Sequence, residues 1–165
     1  LIRSGRIEDL PRLTEIYNYY ILNTAITFDI EPFAVEQRKE YWFDKFSDSG
    51  IYRLLVAESK GTVVGYATSG QFREKAAYVT SVDTSIYLDS SFSGQGIGTL
   101  LYQTLFKKLE KMDIHRAYAE ITIPNNASIS LHKKFGFKEI GTYNEVGNKF
   151  GKYHDVIWLE KKTAK

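Results

Sequence analysis

Apolar positions change their period several times along this chain, and each change marks a new element. Ile2 and Arg3 open a short strand, after which Leu10, Leu13, Ile16, Tyr17 and Tyr20 recur at helical spacing within Glu8 to Leu22. Pro11 suits the first turn of that helix, where its missing N–H is no loss. Asn23 to Glu31 reads as a loop, and a second helix follows Pro32, with Tyr41, Trp42 and Phe46 set among charges in Ala34 to Phe46. The pattern then turns to strands at Leu54 to Glu58, Val63 to Ser69 and Tyr78 to Leu88, with Ser59-Lys60-Gly61 as a tight turn between the first two. Ile97 to Met112 is the clearest helix, with Leu100, Leu101, Thr104, Leu105 and Leu109 on one side. His115 to Thr122 follows as a strand, Ala127 to Phe135 as a helix, and Lys138 to Tyr143 and Asp155 to Lys161 as the last two strands.

The order strand, two helices, three strands, helix, strand, helix, two strands predicts a mixed α/β sheet covered by helices. At 165 residues the chain is expected to form a single domain over 1–165. Composition adds exclusions. A formal charge of +2, with Lys and Arg spread along the chain, gives no polycationic segment for nucleic acid or an anionic membrane. The absence of Cys removes disulfides, thiolate catalysis and Cys-ligated zinc, and no metal site is expected. No apolar run approaches membrane-spanning length, Leu1 to Leu10 lacks the plan of a signal peptide, and a cytoplasmic location is expected.

The stretch Ile86-Tyr87-Leu88-Asp89-Ser90-Ser91-Phe92-Ser93-Gly94-Gln95-Gly96-Ile97-Gly98-Thr99-Leu100 carries a strand through a glycine loop into a helix. Glycines let the backbone turn sharply, so that consecutive N–H groups and the positive helix end face a phosphate. The plainer reading is a glycine-rich connection with no ligand. A Walker loop is excluded because no lysine follows Gly98, and a dinucleotide fold because the glycines come after an antiparallel set.

Ser93-Gly94-Gln95-Gly96-Ile97-Gly98 resembles the coenzyme A loop of the GNAT N-acetyltransferase superfamily, Arg/Gln-x-x-Gly-x-Gly/Ala after the fourth strand, with Ser93 departing at the first position. Asn125-Asn126-Ala127-Ser128-Ile129-Ser130-Leu131-His132-Lys133-Lys134-Phe135-Gly136-Phe137 is similar to a second signature of that superfamily. Locally, Asn125 or Asn126 also serves as a helix cap and Gly136 as a helix end. The resemblance extends to the phosphinothricin acetyltransferase group through Ile16 to Ile21, Thr27 to Pro32, Phe72 to Tyr78 and Gly151 to Val156.

That resemblance implies the GNAT fold and transfer of an acetyl group from acetyl-CoA to the α-amine of an amino acid such as phosphinothricin, methionine sulfoximine or methionine sulfone. It places acetyl-CoA on Ile86, Tyr87, Leu88, Ser93, Gly94, Gln95, Gly96, Ile97, Gly98, Thr99, Asn125 and Lys134. It makes Asp83, four residues before Tyr87, the base that deprotonates the acceptor ammonium, directly or through water, and His132 a proton donor to the departing thiolate. Arg73, Lys75 and His154 would meet the acceptor's anionic groups, and Phe28 and Tyr78 would form apolar walls. Each also has an ordinary reading: Asp83 as a solvated strand carboxylate, His132 as a structural histidine, Arg73 and Lys75 as surface charges, the aromatics as core. The family implies a homodimer. Transfer to a polyamine, an aminoglycoside or a peptide N-terminus, or a non-catalytic acyl-CoA-binding regulator, are the competing functions.

Overall fold

A computed structural model describes residues 1–163. Its elements follow the predicted order: β1 (Ile2–Ser4), α1 (Leu10–Asn23), α2 (Val35–Tyr41), β2 (Arg53–Ser59), β3 (Thr62–Gln71), β4 (Ser81–Leu88), α3 (Ile97–Leu109), β5 (Arg116–Ile123), α4 (Asn126–Lys134), β6 (Lys138–Lys149) and β7 (Lys152–Lys162). The strands make one seven-stranded sheet in the order β1-β2-β3-β4-β5-β7-β6. Every neighbouring pair is antiparallel except β4 and β5, which run parallel.

Two helical layers sandwich the sheet. On one face Leu101, Tyr102, Leu105, Phe106 and Leu109 of α3 pack on Leu55, Ala67, Val82, Ala117 and Ala119 of the strands. On the other, Leu13 and Ile16 of α1 meet Leu54, Val56, Val63 and Tyr66. The odd- and even-numbered residues of β2 thus enter different cores, as strand alternation requires. The sandwich explains why β2 and β3 read as nearly unbroken apolar runs rather than alternating ones.

Several expectations are corrected. Leu100, assigned to the buried side of α3, is 53% exposed, because Tyr102 and Phe106 rather than Leu100 and Thr104 complete the packed stripe. The segment from Tyr78 is not strand throughout: Ala76–Tyr78 forms a 3-10 turn and β4 begins at Ser81. The second helix stops at Tyr41, with a separate 3-10 turn at Phe43–Lys45. Strands β6 and β7 run well past Tyr143 and begin well before Asp155, forming a long hairpin. Its distal part is polar because β6 is an edge strand, exposed along almost its whole length, and carries no core-facing alternation.

Candidate active site

The site is created where two strands separate. β4 and β5 pair over only three rows, Ser81 with Arg116, Val82 with Ala117 and Asp83 with Tyr118. At the next position the Thr84 hydroxyl donates to the Tyr118 carbonyl at 3.0 Å, so a side chain stands in for a ladder bond at the fork. Beyond it, Thr84 to Leu88 and Ala119 to Thr122 become opposite walls of a cavity of about 670 Å³. The cavity passes through the sheet. The N-terminus of α3 and one side of α4, His132 included, bound it on one face, and Tyr19, Tyr20, Thr24 and Ile26 bound it on the other.

The first end offers donors of the kind a phosphate would need. Gly94 and Gly96 have φ of 75° and 79°, a region that suits glycine, and a Cβ added to either would meet nothing within 4 Å. Gly96 caps α3 without a side-chain acceptor, which leaves the first N–H groups of that helix facing the cavity. Lys134 stands on the wall as the one ammonium among the described lining residues. Asp89 buttresses the loop: its carboxylate accepts from Ser91 N at 2.9 Å and pairs with Arg12, and these contacts hold its pKa below the usual range. Asn125 caps α4 by accepting from Ser128 N at 3.2 Å and also lines the cavity, so its local and ligand-facing readings coexist. Open glycine backbone, a free helix terminus and a lysine are the donor set that a pyrophosphate requires, and coenzyme A fits it.

Of the cofactor residues expected, Ile86, Tyr87, Leu88, Ser93, Gly94, Gly96, Ile97, Gly98, Thr99, Asn125 and Lys134 line the cavity. Gln95 does not; its side chain turns back to donate to the Ser91 carbonyl at 3.2 Å.

The other end carries carboxylates. Alternation along β4 sends Val82 and Thr84 toward the α3 core and Asp83 and Tyr87 to the α1 face. Asp83 sits at the closed end of the fork, and burial, helped by the nearby Glu120 charge and opposed by Arg73, pushes its pKa up to about 7. Glu120 lines the cavity itself, and burial raises its pKa as well. Tyr20 completes this side, its hydroxyl donating to the Leu88 carbonyl at 2.6 Å.

His132 is not the free proton donor expected of it. It is 2% exposed, and its Nδ1–H donates to the Ser128 carbonyl at 2.7 Å. Nε2 therefore accepts from the Tyr102 hydroxyl at 2.8 Å. Burial lowers its pKa, and a neutral ring with both nitrogens engaged ties α4 to α3 and has no proton to spare.

The five expected acceptor residues lie outside the principal cavity. Arg73 stacks over Phe72 and Trp158, with centroid distances of 4.8 and 5.5 Å, and lines a neighbouring recess with Tyr118 and Tyr143. Tyr78 sets its edge on Phe72 at 5.6 Å, while Lys75 is exposed just before the 3-10 turn. Phe28 rests on Gly147, where an added Cβ would come within 2.2 Å of its ring, and its centroid is 6.3 Å from that of His154. His154 donates to the Lys149 carbonyl at 3.2 Å. Glu120, which the sequence reading did not name, shares the Asp83 face of the fork, because the alternation Tyr118-Ala119-Glu120-Ile121 puts it there once β5 is known to border the fork.

Comparison with known proteins agrees with this geometry. Residues 2–158 match the family model described as acetyltransferase (GNAT) domain. The chain is 50% identical over 162 residues to a phosphinothricin N-acetyltransferase of Streptomyces coelicolor, covering 97% of this chain and 94% of that protein. It is 32% identical to an L-methionine sulfoximine/L-methionine sulfone acetyltransferase of Pseudomonas paraeruginosa, over 96% of this chain and 92% of that one. A solved GNAT superfamily phosphinothricin acetyltransferase from Sinorhizobium meliloti, in complex with acetyl-CoA, superposes with a TM-score of 0.92 at 29% identity, over 99% of this chain and 88% of that one. No helix among the described residues is long and apolar enough to cross a membrane.

Proposed function

The chain belongs to the GNAT acetyltransferase family, and from that premise we propose that its acceptor is the α-amine of a small amino acid of the phosphinothricin or methionine sulfoximine and sulfone type. The activity is acetyl-CoA-dependent N-acetylation, in which the thioester supplies an acyl group already activated for transfer. The observation that carries the acceptor reading is a charge arrangement. Arg73 lies within electrostatic reach of Asp83 and Glu120, so a cation and two carboxylates share the acceptor side of the fork. An α-amino acid presents the complementary pair, a carboxylate for Arg73 and an ammonium for the acids. A polyamine has nothing for Arg73.

In this reading the protein's own groups divide the work. The α3 terminus, Gly94 and Gly96, Asn125 and Lys134 hold the donor's phosphates, while the unpaired edges of β4 and β5 offer backbone donors where negative charge develops on the acyl oxygen. Asp83, with a pKa raised to about 7, accepts the ammonium proton directly or through one water. His132 holds α4 in register. Arg73 takes the acceptor's carboxylate, Lys75 and Tyr78 flank it on the same connection, and Phe28 with His154 bounds the outer wall. Chain pairing into a homodimer is supported by β6, an edge strand exposing Ile140, Tyr143 and Val146, and we assign the protein to the cytoplasm.

The test is thiol release from acetyl-CoA with phosphinothricin, methionine sulfoximine, methionine sulfone, spermidine and a short peptide as acceptors. The three amino acids are expected to be used with much the highest kcat/KM. Preference for spermidine or the peptide would refute the acceptor assignment, and thermal protection by acetyl-CoA without turnover of any amine would identify a binding module instead.

A further inference from the structure

The principal cavity is charged asymmetrically. Among its described lining residues Lys134 is the only ammonium, at the phosphate end, and Glu120 the only carboxylate. Asp83, the expected base, does not line the cavity: it stands on β4 at the last paired row, opposite Tyr118, and Glu120 lies two residues further along β5 on the same face, toward the opening. Aspartate also has the shorter reach. The Glu120 carboxylate enters no ion pair or hydrogen bond among the described residues, whereas the neighbouring Glu160 faces Arg116 at 4.0 Å. An exposed acid at a strand position whose neighbours Ala119 and Ile121 are buried has no packing duty to explain it.

We propose that Glu120 receives the acceptor's ammonium at the cavity wall and, with Asp83 behind it, forms a carboxylate pair that takes the amine's proton. This rests on the reading of the site given under Proposed function. One N–H bond of the ammonium breaks and its proton passes to the pair. The freed lone pair then forms the C–N bond to the acyl carbon as the C–S bond breaks with its electrons on sulfur. The nitrogen's second surplus proton ends on the thiol, and the first leaves the pair for water through Glu120, the exposed member. With both acids ionised, the Glu120 charge adds to burial in raising the affinity of Asp83 for the proton that leaves the amine. The charged and titratable groups around the pair are Arg73 from the β3–β4 connection, Tyr87 on β4, Tyr118 directly opposite Asp83 on β5, Glu160 in that same row on β7, Arg116 two residues further back on β5, and, from the α3 side of the sheet, Tyr102. Arg73 alone opposes the raised affinity for the proton.

Glu120→Gln keeps shape and removes charge. It is expected to raise the acceptor KM roughly tenfold, as loss of a charge-assisted contact does, while leaving the acetyl-CoA Kd unchanged. Without its like-charged neighbour, Asp83 should titrate at lower pH, seen both as a shift of the acid limb of kcat/KM and, in the free protein, as a lower carboxyl pKa by 13C NMR. An unchanged acceptor KM together with an unshifted Asp83 titration would overturn the proposal; a parallel loss of acetyl-CoA affinity would do so too, by showing general damage. The wild-type acceptor screen comes first. If it finds turnover of a non-amino-acid amine, the acceptor assignment fails while Glu120 is still judged on that amine, since any primary amine presents the same ammonium.

Discussion

A carboxyl group held near pKa 7 inside a folded chain costs stability wherever it ionises, and Asp83 is such a group. Its folded pKa lies above the ordinary 3.8, so the penalty is absent below about pH 4, grows as the unfolded state ionises, and is complete above pH 7. Asp83→Asn removes it. The variant is expected to be more stable than wild type at pH 8, by at most about 4 kcal/mol, with the difference closing at pH 4. Its kcat should nevertheless fall by about 10² or more at neutral pH and recover partly at high pH, where the acceptor arrives deprotonated. Urea denaturation at several pH values beside a pH–rate profile checks both; a variant equally active and no more stable would remove Asp83 from the mechanism. The family resemblance pointed to Asp83 through its place four residues before Tyr87, whereas the place of Glu120 beside the fork depends on where β5 ends its pairing with β4, which no local pattern states. His132 was legible as a position but not as a role, since its partner Tyr102 lies thirty residues away on another helix.

At the scale of elements, the cofactor end depends on how α3 begins. Gly96 caps the helix at positive φ, where an added Cβ meets no atom within 4 Å, so the main cost of Gly96→Val to the fold is backbone strain of roughly 1–2 kcal/mol. The added side chain fills the place where the phosphates approach, and acetyl-CoA affinity is expected to fall at least tenfold by calorimetry, with the circular dichroism spectrum retained. Unchanged affinity would remove the phosphate assignment from this loop. Gly98 differs, because its added Cβ would press within 3.3 Å of Ile86 and Leu131, between helix and sheet. Two glycines in one motif thus do different things, one turning into open space and one facing core. The order of the elements was readable because α3 buries a patterned stripe while β2 and β3 are nearly unbroken apolar runs of strand length. The extent of β6 and β7 was not, because a polar edge hairpin satisfies its backbone without apolar alternation.

The molecule as a whole ties the wall of the cavity that is proposed to meet the acceptor to the far end of the chain. The loop after α1, which supplies Thr24 and Ile26 to the cavity, is fastened to the hairpin at the other end of the chain. Lys149, only 4% exposed, donates from Nζ to the Thr27 carbonyl at 2.8 Å, and Phe28 lies on Gly147. On the inner side the Tyr17 hydroxyl meets Thr27 Oγ1 at 2.7 Å. Sequence reading placed Phe28 at the acceptor as a wall residue; its packing against Gly147 makes it part of this fastening. Burial lowers the Lys149 pKa, opposed by the nearby Asp29 charge, so this ammonium is kept by its carbonyl and acid neighbours and not by water. Lys149→Met preserves the apolar stem and removes the bond. Losing a charged hydrogen bond costs about 1.5–3 kcal/mol, which in a chain of this size lowers Tm by roughly 3–12 °C. The larger consequence expected is local: faster amide exchange over residues 24–30 and a several-fold higher acceptor KM, with acetyl-CoA affinity little changed, because the groups proposed to hold its phosphates sit on α3, α4 and the loop before α3 and not on this loop. Hydrogen exchange read by mass spectrometry, beside steady-state kinetics, separates this from general loosening. Equal protection of the loop in variant and wild type would mean that Tyr17 and the packing of Phe28 hold the wall without Lys149.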